Sequence, residues 1–138
     1  MTQLTVRRHT EQLAVCQLPP DAPLPSWAAA PGTLRAAVRS GHELSIVCAI
    51  AAVPPEVRHE GPFTGFEVQG PLDLGLTGVL AALVAPLAAA TISAFSLSTF
   101  ETNWILVPSM QHGAATTALE RAGHTVVQPG AGAPEEQA

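Results

Sequence analysis

The sequence predicts an α+β fold, with a β-rich N-terminal half followed by a half in which helices and strands alternate. Three observations support this prediction. At 138 residues and 47% hydrophobic content, the chain can bury the core of one compact domain or of two half-size modules. Short strand-like runs dominate before Phe63, where a connector holds five of the thirteen prolines. After Phe63 the hydrophobic periodicity follows the order β-α-β-β-α-β.

The N-terminal half is predicted to contain four short strands. Residues 4–8 and 13–18 are expected to be two strands around the polar turn HTEQ. The proline-rich residues 19–32 form an irregular connector with at most a one-turn helix at SWAAA, because interior prolines would break a longer one. Residues 34–40 and 43–53 follow as strands on either side of the turn SGHE.

The C-terminal half is predicted to be a split βαβ, or ferredoxin-like, unit in which two helices cover one face of a four-stranded antiparallel sheet. We therefore expect a β-rich half at residues 1–61, a βαββαβ unit at 62–129 and a disordered Gly-, Pro- and Glu-rich tail at 130–138. The six predicted elements are strand 63–70, helix 79–90, strands 92–98 and 103–108, helix 110–123 ended by Gly123, and strand 124–129.

The first of these helices is unusual because it is apolar all round and contains Pro86. A proline in a helix interior removes a backbone donor, so we expect a kink or a second short helical segment there. No charged residue occurs between Asp73 and Glu101, yet the proline and the later strand-like alternation disfavour a membrane span. A helix that is apolar on all sides must be covered, either by the N-terminal half or by a second subunit. The length of the uncharged stretch leads us to expect a homodimer.

Composition argues against several function classes. The chain carries a formal net charge of −5 and has no cluster of basic residues that could follow a phosphate backbone, so nucleic acid is not an expected partner. The histidines are scattered and no catalytic arrangement, metal-ligand spacing or phosphate loop emerges, so we expect neither an enzyme nor a metal or cofactor site. Cys16 and Cys48 are expected to be free, and the N-terminus lacks a secretory h-region, which favours a cytoplasmic protein.

Two polar or glycine-rich connections remain as candidate binding segments. Residues 70–78 link the first strand to the first helix, and residues 98–103 link the second strand to the third. If they meet at one rim, helix-start amides could hold the carboxylate of a small zwitterion, and Thr99, Glu101 or Asn103 could take its ammonium. The alternative is that both are ordinary turns, since Ser, Thr, Asn and Gly are the residues that turns use.

A family resemblance supports the binding interpretation. Residues 63–127, and most specifically the run from Ile92 to Pro108, resemble the ACT-domain group that includes small bacterial ACT proteins and the CASTOR-type amino-acid sensors. The resemblance implies a small effector, usually an amino acid, held at the junction between ACT units, and a reduced or diverged companion ACT unit in the N-terminal half. By position, the implied ligand-binding residues are Leu74, Gly75, Leu76, Thr77, Gly78, Ser98, Thr99, Phe100, Glu101 and Asn103.

The chain departs from the family's STYDTDY run at four positions. Phe100 replaces the first tyrosine, Glu101 the first aspartate, Asn103 the second aspartate and Trp104 the last tyrosine. Loss of the second carboxylate weakens the case for a cationic ligand. The expected function is therefore that of a regulatory or sensor protein for an effector of open identity. The alternative is a structural dimerisation module that no longer binds a ligand.

Overall fold

The computed structural model describes residues 2–72 and 77–130, which form seven strands, two α-helices and three short 3-10 helices. The residues divide into two compact units. Met1–Thr10 with Thr64–Ala138 form the helical unit, and Glu11–Phe63 form the β-rich unit. The elements are β1 (Thr5–Leu18), β2 (Ala36–Arg39), β3 (Leu44–Ala49), β4 (His59–Val68), α1 (Val79–Ala89), β5 (Phe95–Ser98), β6 (Asn103–Pro108), α2 (His112–Arg121) and β7 (Thr125–Val127).

The helical unit has the predicted β-α-β-β-α-β chain order from β4 to β7, with one addition. Its strands lie in the order β7-β1-β4-β6-β5, so residues 5–10 of β1 occupy a place between the last and first strands of the predicted four-stranded sheet. Strand β7 pairs in parallel with β1, from Thr5 opposite Thr125 to Arg7 opposite Val127. The N-terminal residues therefore belong to the sheet of the C-terminal half.

Both α-helices pack on one face of this sheet. Strand residues such as Phe66 and Ile105 share a core with Leu83 and Leu87 of α1 and Leu119 of α2, all at most 1% exposed. In α1 the buried residues are four positions apart, the spacing that places side chains on one helical face. The predicted end of α2 is confirmed, because Gly123 follows it with a φ of 102°.

Pro86 lies inside α1 and is accommodated by a side chain from outside the helix. A residue with a backbone N–H at this position would donate to the carbonyl of Ala82, four residues earlier. That carbonyl instead accepts a hydrogen bond from Nε2 of His124, at 2.8 Å. Nδ1 of the same ring accepts the N–H of Leu4 at 3.1 Å, which fixes the neutral tautomer with its proton on Nε2. His124, only 5% exposed, thereby links α1 to the residue preceding β1.

The prediction of two short strands around HTEQ was wrong, because β1 runs without interruption from Thr5 to Leu18. The polar residues of that segment find partners where they lie. His9 Nε2 is 2.9 Å from Glu67 Oε1, and Glu11 accepts hydrogen bonds from the N–H and the hydroxyl of Thr33 at 2.6 and 2.7 Å. Satisfied polar side chains can remain in a strand, whereas the sequence pattern alone favoured a turn.

The β-rich unit is a reduced version of the same topology. Its strands, with residues 11–18 of β1 and 59–63 of β4, lie in the order β2-β3-β1-β4. This is the ferredoxin-like strand order, but 3-10 helices at Ser26–Ala29 and Ile50–Ala52 stand where the two α-helices would be. One face carries a separate core formed by Ala14, Cys16, Ala28, Leu44, Ile46 and Cys48.

Neither α1 nor α2, the α-helices found in the described part of the chain, has the length and hydropathy needed to cross a membrane.

Candidate functional site

The turn between β5 and β6 holds most of the predicted ligand-binding residues, and several of its polar groups bond to one another. The N–H of Thr99 donates to the carbonyl of Thr102 at 2.8 Å, and the N–H of Thr102 donates to the hydroxyl of Thr99 at 3.1 Å. Ser98 Oγ donates to Asn103 Oδ1 at 2.7 Å across the last pair of the hairpin. These contacts shape the turn. They also direct the amide nitrogen of Asn103 away from Ser98, where it can donate to another group.

The connection between β4 and α1 contacts this turn through the residues that directly follow β4. The N–H of Leu72 donates to the carbonyl of Glu101 at 2.7 Å, and the hydroxyl of Thr102 donates to the carbonyl of Val68. A Cβ added to Gly70 would lie 2.8 Å from that same Glu101 carbonyl, so only glycine allows this approach. The two predicted segments therefore lie against each other at the start of β6.

Of the predicted binding residues before α1, only Thr77 and Gly78 are among the described residues. Leu74, Gly75 and Leu76 lie outside the described residues. Thr77 is exposed, and Gly78 precedes α1 with a φ of 83°. A Cβ added to Gly78 would lie 4.0 Å from the hydroxyl oxygen of Thr2. The first turn of α1 begins there, because the N–H of Ala82 donates to the carbonyl of Gly78 at 2.9 Å.

The side chains of the turn differ in how far they reach solvent. Phe100 is 81% exposed at the tip of the turn, and Glu101 beside it is also exposed. Thr102, which is not among the predicted ligand-binding residues, is 9% exposed and holds the turn to β4. Phe100, Glu101 and Asn103 therefore carry the groups that could contact a ligand. The hydroxyls of Thr99 and Thr102 instead form hydrogen bonds with backbone groups.

A cluster on the other face of the helical unit's sheet was not anticipated. Trp104 alternates with Ile105, which faces the helices, and therefore lies on the opposite face. The imidazole of His9 stacks on its indole with centroids 4.8 Å apart and planes inclined by 21°. Glu67 holds the same imidazole by the 2.9 Å contact with Nε2. His9, Glu67 and Trp104 are far apart in the chain, so the sequence does not show that they are neighbours. Its one relevant signal is the period-two alternation of β1 and β6, which indicates the face on which each side chain lies.

The two cysteines, which sequence spacing left unrelated, are neighbours. In the β1–β3 register Ala14 is opposite Cys48 and Cys16 is opposite Ile46, so the cysteines are diagonal partners on one face. Burial, reinforced by the neighbouring thiol of Cys48, raises the pKa of Cys16 to about 12. Burial also raises the pKa of Cys48. Thiols with raised pKa values are poor nucleophiles, and both cysteines are free and buried.

No group of three or more His, Cys, Asp or Glu residues within 2–72 and 77–130 is arranged to hold a metal ion. Three of the histidines engage separate partners in different places: His9 with Glu67, His59 Nδ1 with the carbonyl of Val57 at 2.8 Å, and His124 with Leu4 and Ala82.

Comparison with known proteins connects this geometry to a family. The family model of the ACT domain matches residues 59–121, and a second model, described only as an N-terminal domain, matches residues 11–56. Protein Atu0741 from Agrobacterium tumefaciens has a similar solved structure, with 28% identity, a TM-score of 0.87, and coverage of 93% of this chain and 95% of that one. None of the curated proteins compared with the chain matches it.

More distant structures show the same fold. Protein VC0802 from Vibrio cholerae, described as a possible transport protein of unknown function, has 17% identity and a TM-score of 0.72, with coverage of 87% of this chain and 90% of that one. The regulatory subunit of aspartate kinase from Thermus flavus has 16% identity and a TM-score of 0.60, with coverage of 88% and 99%. These two likenesses extend over most of the chain and show the fold that it shares with both proteins. Over residues 59–121 the chain matches the ACT-domain family model, in agreement with the ferredoxin-like fold of the helical unit.

Proposed function

We propose that this chain is a non-catalytic cytoplasmic sensor whose ACT domain binds a small-molecule effector, an amino acid, and whose ligand state regulates a partner protein. The proposed site consists of the turn residues Ser98, Thr99, Phe100, Glu101 and Asn103, with residues 74–78 of the connection before α1. Within the turn, Phe100, Glu101 and Asn103 would contact the ligand, while Ser98 and Thr99 hold the turn in shape. A homodimer would bring an ACT unit of a second copy to this rim and complete a junction between units.

One observation carries the proposal. The β4–α1 connection and the β5–β6 turn, two segments about 30 residues apart in the chain, are joined by the hydrogen bond from Leu72 to Glu101. Phe100 and Glu101 are exposed in the same turn, and Asn103 follows two residues after Glu101. A ligand's ammonium would be accepted by the Glu101 carboxylate, and a group with lone pairs by the amide N–H of Asn103.

The chemistry at Asn103 favours a ligand without a second cationic group. An amide presents donors as well as an acceptor, and the acceptor oxygen already receives the hydroxyl of Ser98. A carboxylate at this position would attract a cationic side chain, but an amide does not. We therefore expect a neutral or acidic amino acid.

A thermal-shift screen of the twenty amino acids and related metabolites tests the function. A ligand that binds only the folded state stabilises it by RT ln(1 + [L]/Kd), about 2.7 kcal/mol at a hundredfold excess over Kd. We expect one neutral or acidic amino acid to raise the melting temperature. If none of the compounds does, effector binding is rejected and the alternative below is favoured.

Two substitutions then test the site. Asn103→Ala removes a donor to the ligand, so affinity should fall roughly 5- to 150-fold. Asn103→Asp adds a negative charge and should shift preference toward ligands with a second cationic group. Ser96→Ala, at an exposed position of β5 outside the proposed binding residues, is the matched control and should leave the affinity unchanged. A lowered melting temperature with unchanged affinity in Asn103→Ala would contradict the binding assignment.

The alternative is a structural dimerisation module that has lost ligand binding. It is favoured by the bonds of Thr99 and Thr102 within the turn, which give those residues a use without a ligand. Both hypotheses include a homodimer, which we infer from the outer side of the helices. There, Leu80 is 41% exposed, and a groove of about 600 Å³ is lined by residues such as Ala89, Ala114 and Ala118. Light scattering showing a stable monomer at micromolar concentration would contradict the dimer.

A further inference from the structure

A small depression on the sheet of the β-rich unit lies outside the proposed effector site. Its volume is about 190 Å³, which corresponds to roughly six water molecules and is smaller than the pockets that hold drug-sized ligands. Polar and apolar residues of three neighbouring strands line it: Val15, Cys16 and Gln17 of β1, Ser45 of β3 with Glu43 just before that strand, and His59 and Glu60 of β4 with Arg58 just before it.

Strand register places most of these side chains on one face. Gln17 is opposite Ser45 in the β1–β3 pair, and the N–H of Gln17 donates to the carbonyl of Arg58 at 3.0 Å. Ser45, Gln17 and Arg58 therefore form a row across the sheet. Because β1 and β4 are antiparallel, Val15, two residues before Gln17, lies opposite Glu60, two residues after Arg58. The buried core of this unit, with Cys16 and Ile46, occupies the alternate positions and hence the other face.

The charged groups of the depression are only partly engaged. Gln17 Nε2 donates to Glu43 Oε1 at 3.1 Å, which holds both side chains in place. Within the described part of the chain, the guanidinium of Arg58 and the carboxylate of Glu60 have no hydrogen bond or ion pair, although both line the same depression. One cation and two anions therefore face a volume that accepts only a small molecule.

We propose that this depression binds a short ω-amino acid, a zwitterion whose ammonium and carboxylate lie several carbons apart. The guanidinium of Arg58 would take the carboxylate, and Glu60 with Glu43 would take the ammonium. Arg58 directly precedes β4 and its carbonyl pairs with the N–H of Gln17, and Glu60 is the second residue of β4, so about 6.6 Å of extended backbone separates the two residues. An α-amino acid, with both charges on one carbon, spans less than that. The site is separate from the effector site of the helical unit and does not depend on it.

Amide chemical shifts of the full chain, followed by NMR during titration with 4-aminobutyrate, test the proposal. We expect saturable shifts at Gln17, Ser45 and Arg58. Butylamine and butyrate, each carrying one charge of the probe, should bind at least roughly tenfold more weakly because each loses a charge-assisted hydrogen bond. Glycine should also bind more weakly than 4-aminobutyrate.

Arg58→Gln and Glu60→Gln should each lower the affinity for 4-aminobutyrate roughly 10- to 150-fold. Glu56→Gln, at an exposed acidic position outside the depression, is the matched control and should leave affinity unchanged. Asn103→Ala should also leave it unchanged, which separates this site from the effector site. Arg58, Glu60 and Glu56 are exposed, so their variants should fold, and melting temperatures of all four variants verify this. Absence of saturable shifts at tens of millimolar probe, or equal affinity in wild type, Arg58→Gln and Glu60→Gln, would overturn the proposal.

Discussion

Replacement of His124 by leucine should destabilise the helical unit by an amount that depends on Pro86. In the wild type, the imidazole supplies Ala82 with the hydrogen bond that Pro86 cannot provide and accepts the N–H of Leu4. Leucine fills similar space but leaves both backbone groups without this partner. An unpaired buried polar group costs about 1–3 kcal/mol, so His124→Leu should lower the free energy of unfolding by about 2–6 kcal/mol.

The second substitution in the design, Pro86→Ala, restores a backbone N–H within hydrogen-bonding reach of the Ala82 carbonyl. In that background His124→Leu leaves only the N–H of Leu4 unpaired, so its cost should fall to about 1–3 kcal/mol. The difference between the two costs, about 1–3 kcal/mol, is the coupling energy of His124 and Pro86.

Urea denaturation of the wild type, the two single variants and the double variant measures this coupling. His124→Gln serves as a control because it keeps one donor and one acceptor on the side chain, and it should cost less than leucine. A coupling energy below about 0.5 kcal/mol would show that the imidazole does not compensate for the missing amide, and the explanation of how Pro86 is accommodated would be refuted.

Three further predictions concern the turn and the buried thiols. Thr102→Val should lower the free energy of unfolding by about 1–3 kcal/mol by leaving the Val68 carbonyl unpaired, while Thr102→Ser should retain most of the stability; thermal denaturation of both variants checks this. Gly70→Ala should cost about 1–3 kcal/mol, because its Cβ would lie 2.8 Å from the Glu101 carbonyl, and should weaken any effector binding measured in parallel. The pKa of Cys16 is raised from 9.0 to about 12, so the stability tied to its protonated thiol is complete below pH 9 and declines as pH rises toward 12, by about 1.4 kcal/mol per unit. Denaturation of wild type and Cys16→Ala between pH 8 and pH 11 should show a shallower decline in the variant.

Elements with strong local periodicity were predictable. The order from β4 to β7, the helix containing Pro86 and the glycine that ends α2 follow from apolar spacing and from the conformational preferences of Pro and Gly. For the β4–α1 connection and the β5–β6 turn, the topology allowed a contact at one rim but did not require it, and the hydrogen bond from Leu72 to Glu101 could not be read from the sequence.

Features that depend on contacts distant in sequence were not predictable. The insertion of β1 beside β7, the stacking of His9 on Trp104 and the proximity of Cys16 and Cys48 each need the strand register, which periodicity does not encode. The uninterrupted β1 was missed for a related reason. Glu11 is polar in sequence, but in the fold it is satisfied by Thr33, and that partner could not be known beforehand.

The pairing of β1 with β7 determines the order in which the two units can fold during synthesis. Thr125 is synthesised 120 residues after Thr5, its partner in the sheet. The β-rich unit, which is contiguous from Glu11 to Phe63, can form as soon as it has been translated. The sheet of the helical unit cannot be completed until β7 has been synthesised, so residues 5–10 of β1 lack this partner strand until then. Contacts of such long sequence separation slow folding. A tag or fusion placed before Thr5 is therefore expected to slow the folding of the helical unit more than the folding of the β-rich unit, although the β-rich unit follows β1's first residues directly in sequence.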